Sequence, residues 1–345
     1  MAVAHGFAMK EVSLQAGVSL ATVDRVLHQR PGVRLATRRR VEQACAELER
    51  QQQQVGLKGR RFMIDLVMEA PLRFTRIVRD ALGVAMRRAH PAVFRTRDHV
   101  EETVNVPDLV AVLDAIARRG SHGVLLKAPD VPAITEAVAR LLARGIPVVT
   151  LVTDVKSAHR HAYVGLDNRC AGETAACLMT QWIGQEPVDV LVSSSGQRFR
   201  GEDERIHAFV QALASTKPSC RVHVLDAGQG LNGPTAVAVE RLLLRQPSVA
   251  AVYSVGGANA AILAAFDRAS RRCCPFIGHD LDDENLSLLR SGRLSAVLHH
   301  DLHHDLHMAC LHFMQAQGAL SGTQVMPRSN VEVITPFNLP ASLAR

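Results

Sequence analysis

The sequence predicts a small all-α helix-turn-helix head followed by a two-lobed α/β domain built on two doubly wound parallel sheets. Three observations predict it. Residues 1–61 carry eleven Lys+Arg against five Asp+Glu, a net of +6, while the other 284 residues are nearly neutral at +1. Residues 50–61, RQQQQVGLKGRR, interrupt the apolar pattern with a polar, Gln-rich, Gly-containing linker. From Phe62 onward eleven short apolar runs alternate with amphipathic stretches, the order of parallel α/β sheets; eleven strands exceed one sheet of ordinary size, which gives two lobes.

In the head, Met9–Ala16 reads as a helix stopped by Gly17, and Ser19 caps a second helix from Leu20 to about His28. Pro31-Gly32 marks a turn, and Leu35–Glu49 is a third helix, with Val41, Cys45 (or Ala44) and Leu48 on one face and Arg38, Arg39 and Arg40 near its start. Two short helices joined by Ala-Gly-Val-Ser form a helix-turn-helix, the glycine permitting the tight turn. On the second helix Val23 and Val26 point inward, which leaves Leu20, Ala21, Thr22, Asp24 and Arg25 facing out. Arg25 suits guanine O6/N7, and Thr22 suits a phosphate. A local basic excess on a neutral body fits a polyanionic partner. A solvated basic tail would lack this apolar helical spacing.

The expected strands are Phe62–Met68, Val93–Thr96, Gly123–Leu126, Val148–Leu151, Tyr163–Leu166, Val188–Val192, Arg221–Leu225, Val249–Val255, Phe276–Gly278, Ser295–Leu298 and Val331–Thr335. Helical stretches between them include Pro107–Arg118, Val131–Ala143, Arg169–Ile183, Glu202–Ala214 and Thr235–Leu244. Such sheets bind ligands at the carboxyl ends of their strands, and two lobes facing each other make a cleft.

Composition narrows the function classes. At 47% hydrophobic and 21% charged, the chain is that of a globular protein. Its longest apolar stretches, such as Ile146–Val152, fall far below the roughly 18 residues of a membrane span. The start MAVAHGFAMKEV lacks the basic region and apolar run of a secretory signal, so a cytoplasmic location is expected. Seven scattered cysteines without a Cys-x-x-Cys pair argue for free thiols and against a disulfide framework or zinc ribbon.

Residues 9–50 resemble the DNA-binding head of the LacI/GalR family of bacterial transcription regulators: Ala-Gly-Val-Ser, then Thr-Val-x-Arg-Val-Leu, Pro-Gly-Val, and Thr-Arg-x-x-Val-x-x-Ala-x-x-Leu, all at the family's spacing. The remainder resembles the family's effector domain, shared with periplasmic sugar-binding proteins. Its marks are Ile146-Pro147-Val148-Val149, Tyr163–Asn168 with Ala171-Gly172, Arg200-Gly201, Glu204-Arg205 with Phe209, and Gly278-His279-Asp280.

The resemblance implies a division into a head (1–50), a hinge (51–61) and a periplasmic-binding-protein-like effector and dimerisation domain (62–345). Within the last, it implies an N-lobe at about 62–165 and 299–325 and a C-lobe at about 166–298 and 326–345. It implies a homodimer on near-palindromic double-stranded operator DNA, with Ser19–His28 in the major groove, Leu20, Ala21 and Arg25 at base edges, and half-sites about one turn apart. Ser19, Thr22, His28 and Arg34 complete the expected DNA face. The family's hinge helix wedges a leucine into the minor groove. Here its aromatic-x-Pro-Asn approach is replaced by Arg50-Gln51-Gln52-Gln53, Gly56 weakens the helix, and Leu57 is left as the wedge.

For the effector, the resemblance places Asp280 where a carboxylate accepts hydrogen bonds from sugar hydroxyls. It puts Asn259 on a ligand loop after a C-lobe strand, Asp154 after the Val148–Leu151 strand, and His300 near an interlobe crossover. Phe74 is expected to cover an apolar sugar face and Arg73 to add charge at the cleft edge. The family's pocket arginine two residues before Arg205 is replaced by Asp203, with Arg198 or Arg200 as substitutes. Plainer roles stand beside these: a strand-end cap for Asp280, a helix cap for Asn259, a surface ion pair with Glu202 or Asp203 for Arg200, and core for Phe74.

The expected function is thus a DNA-binding regulator, usually a repressor, controlled by a sugar, polyol or acidic sugar derivative. A sugar-binding protein without a DNA role is the first alternative. A metal-responsive regulator is the second, because His299-His300-Asp301-Leu302-His303-His304-Asp305-Leu306-His307 contains i, i+4 histidine pairs. No resident metal or cofactor is expected. Gly-x-Gly-x-x-Gly, Gly-x-Ser-x-Gly and Gly-x-x-x-x-Gly-Lys-Ser/Thr are all absent, and Ser193–Gly196 and Cys273-Cys274 do not amount to a catalytic set, so no enzyme is expected.

Overall fold

The structure, a computed structural model, describes residues 7–156, 160–184, 188–196, 198–320 and 328–340. Three helices open the chain: α1 (Met9–Ala16), α2 (Leu20–Leu27) and α3 (Leu35–Leu57). Val12, Ala16, Val23, Val26, Val41, Ala44 and Cys45 bury together as the head's own core. Leu48, expected on that face, packs at its edge and is only half-buried.

All eleven expected strands are present, with ends shifted by a few residues, in two sheets. The first sheet comprises β1 (Arg61–Glu69), β2 (Val93–Glu101), β3 (Gly123–Lys127), β4 (Val148–Leu151) and β5 (Ala162–Val164). They run parallel in the order β2-β1-β3-β4-β5. Between them lie α4 (Leu72–Arg88), α5 (Val106–Arg119) and α6 (Pro132–Ala143). After α7 (Asn168–Trp182) the second lobe brings β6 (Asp189–Ser194), α8 (Arg200–Thr216), β7 (Val222–Asp226), α9 (Asn232–Arg245) and β8 (Val249–Ser254). It continues with α10 (Asn259–Arg268), β9 (Phe276–His279), α11 (Asp283–Arg290) and β10 (Ala296–His299), then α12 (Leu302–Ala316) and β11 (Glu332–Ile334).

The second sheet is ordered β11-β10-β9-β8-β6-β7. From its β7 edge it repeats the winding of the first sheet, and the edge strand β11 is added antiparallel to β10. Helices cover both faces of each sheet, so strands such as β4 are buried at every position and read as continuous apolar runs. The chain leaves the first lobe after β5. It returns after β10, where Leu302, Leu306, Ala309 and Phe313 of α12 join the core beside α4. The boundary expected near 325/326 lies outside the described residues. Each sheet reverses its winding between its two central strands, β1 and β3 in one and β6 and β8 in the other. The carboxyl ends at these reversals face each other across the interlobe cleft.

One expectation is corrected. Residues 51–57, taken as a polar linker, continue α3 as helix. Glutamine is a good helix former, and Gly56 lies too near the helix end to break it. Leu57 closes the helix at 6% exposure, inside the first lobe's core with Phe62.

Candidate functional site

The head presents the first surface. Gly17 takes the left-handed conformation (φ 59°) that ends α1, and its N–H donates to Leu14 O. Arg40 reaches across from α3 to donate to Ala16 O at 2.7 Å and Gly17 O at 3.2 Å, so this arginine locks the turn. Ser19 caps α2: its hydroxyl accepts from Thr22 N at 3.3 Å. With Val23 and Val26 buried, Leu20, Ala21 and Arg25 stand exposed on one face and Thr22 is half-buried beside them. Asp24 holds Arg30 at 2.8 Å and His28 at 3.4 Å. Among the described residues Arg25 makes no ion pair, and exposed Arg34 sits at the start of α3 without a side-chain cap. The structure thus gathers Ser19, Leu20, Ala21, Thr22, Arg25 and His28 on and around one helix. It removes Leu57, buried in the lobe core, from that surface in this conformation.

The second site is a cavity of about 780 Å³ between the lobes, counted out to its open mouth. The first lobe contributes Glu69 at the end of β1, Lys127 at the end of β3, Val152 and Thr153 after β4, and Arg73 and Phe74 at the start of α4. The second lobe contributes Ser195 after β6, Phe199, Glu202 and Arg205 at α8, Gly256 after β8, and His279, Asp280 and Asp282 around the end of β9. Gly256 is required here, because a Cβ would lie 2.3 Å from Ser195 N.

The charges are arranged around Lys127. Its ammonium donates to Glu69 O at 2.8 Å and lies 3.6 Å from the centre of the Phe199 ring and 6.0 Å from that of Phe74. Burial pulls its pKa down to about 8, against the opposing pull of Glu202, Glu69 and Asp280. Burial raises the Glu69 and Glu202 carboxyls, although Glu202 accepts from both Ser195 N at 2.8 Å and Ser195 Oγ at 2.9 Å. Arg205, 3% exposed, donates to Asn168 Oδ1 at 2.8 Å. Arg73 bridges the lobes, donating to Gly230 O at 2.9 Å and pairing with Asp282 at 3.2 Å. Two buried acceptor oxygens, Glu69 Oε2 and Asp280 Oδ1, have no hydrogen-bond partner. A buried acceptor in that state is costly until something donates to it.

Of the eight expected effector residues, Arg73, Phe74 and Asp280 line the cavity. Phe74 serves core and cavity at once, at 8% exposure. His300 stands behind Asp280: its Nδ1 is 2.6 Å from Asp305 and its Nε2 3.8 Å from Asp280 Oδ1, a positioning partner outside the cavity lining. The other four do not reach the cavity. Asp154 turns to Arg160 at 2.5 Å and accepts from Thr150 Oγ1 at 2.8 Å. Arg200 pairs with Glu204 at 2.8 Å on the outer side of α8, because the helix turns residues 201, 202 and 205 inward instead. Arg198 is exposed, with its backbone carbonyl accepting from Asp130 N. Asn259 is 1% exposed at the start of α10 and donates to Asn285 at 2.7 Å. Glu69, Lys127, Phe199, Glu202 and Arg205 were missed as effector residues, yet Glu69 and Lys127 end their strands, the very signal that located Asp280.

The histidine run divides. Burial, aided by neighbouring His300, pushes His299 down to about 4, His300 is fully buried against Asp305, and the others follow α12. Among the described residues no three His, Cys, Asp or Glu side chains are placed to hold a metal ion, and no helix is long and apolar enough to cross a membrane.

Comparisons agree with this geometry. Residues 8–50 match the model for bacterial regulatory proteins of the lacI family, and residues 74–309 match the periplasmic binding protein domain. Both models describe regulators and binding proteins rather than enzymes. No curated protein matches the chain. Among solved structures, GanP, a glucose-galactose binding protein from Geobacillus stearothermophilus, superposes with TM-score 0.71 at 19% identity over 81% of this chain and 99% of its own. An ABC transporter solute-binding protein from Agrobacterium vitis bound with α-D-tagatopyranose gives TM-score 0.70 at 18% identity, covering 82% and 98%. A protein assigned as a LacI transcriptional regulator from Bacteroides fragilis gives 0.68 at 16%, covering 81% and 98%. With its DNA-binding head joined to a periplasmic-binding-protein domain, the chain belongs to the LacI family of bacterial transcription regulators.

Proposed function

We propose that the protein is a cytoplasmic, homodimeric repressor whose affinity for a near-palindromic operator is set by a small sugar-like effector held in the interlobe cleft. The observation that carries the reading is the pairing of two separate sites. One is an exposed recognition face on α2, with Arg25 free of ion pairs; the other is a closed, polar cavity at the strand ends of both lobes. A sugar-binding protein without a DNA role has no use for the first. The link between them is thermodynamic: an effector that prefers one lobe arrangement biases the spacing of the two heads, and DNA changes effector affinity reciprocally.

The test is electrophoretic mobility on a selected site. Arg25→Ala is expected to weaken binding by about 1–3 kcal/mol and to relax preference at one base pair. An equal loss on all sequences would reassign Arg25 to a phosphate. Unchanged binding after deletion of residues 1–58 would remove the DNA reading altogether.

A further inference from the structure

The charge on the cavity wall bears on what the effector is. Five carboxyl groups line it, from Glu69, Glu102, Glu202, Asp280 and Asp282, against three cations. Arg73 is committed to Asp282 and Gly230, and Arg205 directs its Nε to Asn168. Lys127 therefore stands alone among Glu69, Glu202 and Asp280. The acceptors left over are specific: Glu69, 2% exposed, has Oε2 unpartnered, and Asp280 has Oδ1 unpartnered with His300 Nε2 at 3.8 Å, beyond hydrogen-bond reach. Both belong to residues at the carboxyl ends of central strands, on opposite lobes. Beside them the Phe74 and Phe199 rings already carry one ammonium, that of Lys127. The wall thus lacks hydrogen-bond donors and positive charge, and an acidic sugar would add a further carboxylate against it.

We propose that the effector is a sugar or polyol bearing a primary ammonium group, which donates to Glu69 Oε2 and Asp280 Oδ1 while the sugar face lies against Phe199. The inference rests on the reading of the cleft as the effector site. A ligand of this kind meets both orphaned acceptors with charge-assisted hydrogen bonds and draws the two lobes together by touching each.

Calorimetric titration of the full-length protein tests it, with D-glucosamine and D-galactosamine compared with D-glucose, D-galactose, D-glucuronate and D-galacturonate. At least one hexosamine is expected to bind saturably, about tenfold or more tighter than its neutral parent, and neither uronate to bind. Asp280→Asn and Glu69→Gln are expected to bring the amine-to-neutral ratio close to one. Asparagine tolerates the left-handed φ of 63° at position 280, so that variant keeps its backbone. A uronate or neutral hexose that binds as tightly as the amine overturns the proposal, as does the failure of both hexosamines. Phe199→Ala separates the two readings. If it abolishes binding of a non-amine sugar, the cleft stands and only the ammonium fails. Sugar binding indifferent to both Phe199→Ala and Asp280→Asn counts against the cleft itself.

Discussion

At the scale of single residues, the exposed arginine of α2 and the carboxylate after β9 were legible because each follows from a local rule: helical periodicity for Arg25, strand-end position for Asp280. Arg200 and Asp154 were misplaced because sequence position does not reveal which side of a helix or loop meets the opposite lobe. Nor does it reveal that Glu204 and Arg160 lie close enough to neutralise them. Arg73 was expected at the cleft edge, but its partner on the other lobe depends on tertiary packing alone. Burial pushes the Asp282 carboxyl up to about 6; the Asn285 N–H and Arg73 oppose the rise, and Glu284 and Asp280 add to it. The folded pKa therefore lies above the unfolded value of about 3.9. The group's contribution to stability is full below that value and is lost as pH rises through 6, so acid does not unfold the protein through Asp282. Acid does discharge the Arg73–Asp282 pair. Between pH 7.5 and 5 the ligand-free protein is expected to open, read as a larger radius of gyration by small-angle scattering. Arg73→Ala should be open already at pH 7.5 and insensitive to the same titration; identical scattering of both proteins at both pH values would dismiss the latch.

At the scale of elements, the strands were readable because burial on both faces makes each an unbroken apolar run bounded by turns. The end of α3 was not readable. The run RQQQQVG is polar all round, and helical propensity without an amphipathic pattern looks like a linker. What holds this stretch helical lies beyond it, where Leu57 enters the first lobe's core. The head is thereby joined to the lobe by one continuous helix anchored by an apolar side chain. Leu57→Ala is expected to cost about 2–5 kcal/mol of first-lobe stability, the usual penalty for truncating a buried leucine. Urea unfolding measures it. An exposed wedge residue would leave the curve unmoved, and that result would restore Leu57 to the DNA face.

At the scale of the whole molecule, the two-lobed plan was legible from the number of strands, and the head from its charge and helix-turn-helix spacing. The cleft's charge was not: Glu69, Lys127, Glu202 and Asp280 come from four distant points of the chain and meet only because the two sheets face each other at their winding reversals. That arrangement puts effector binding on the motion of one lobe against the other, with the head fixed to the first lobe through α3. The most direct test of the central claim, effector-controlled recognition of a specific DNA site, is selection of binding sites from random DNA by the full-length protein at near-physiological salt, with and without a hexosamine mixture. The account predicts a palindrome with half-sites about one helical turn apart, recovered with a yield that the mixture changes. Recovery of DNA without sequence preference under both conditions would contradict it.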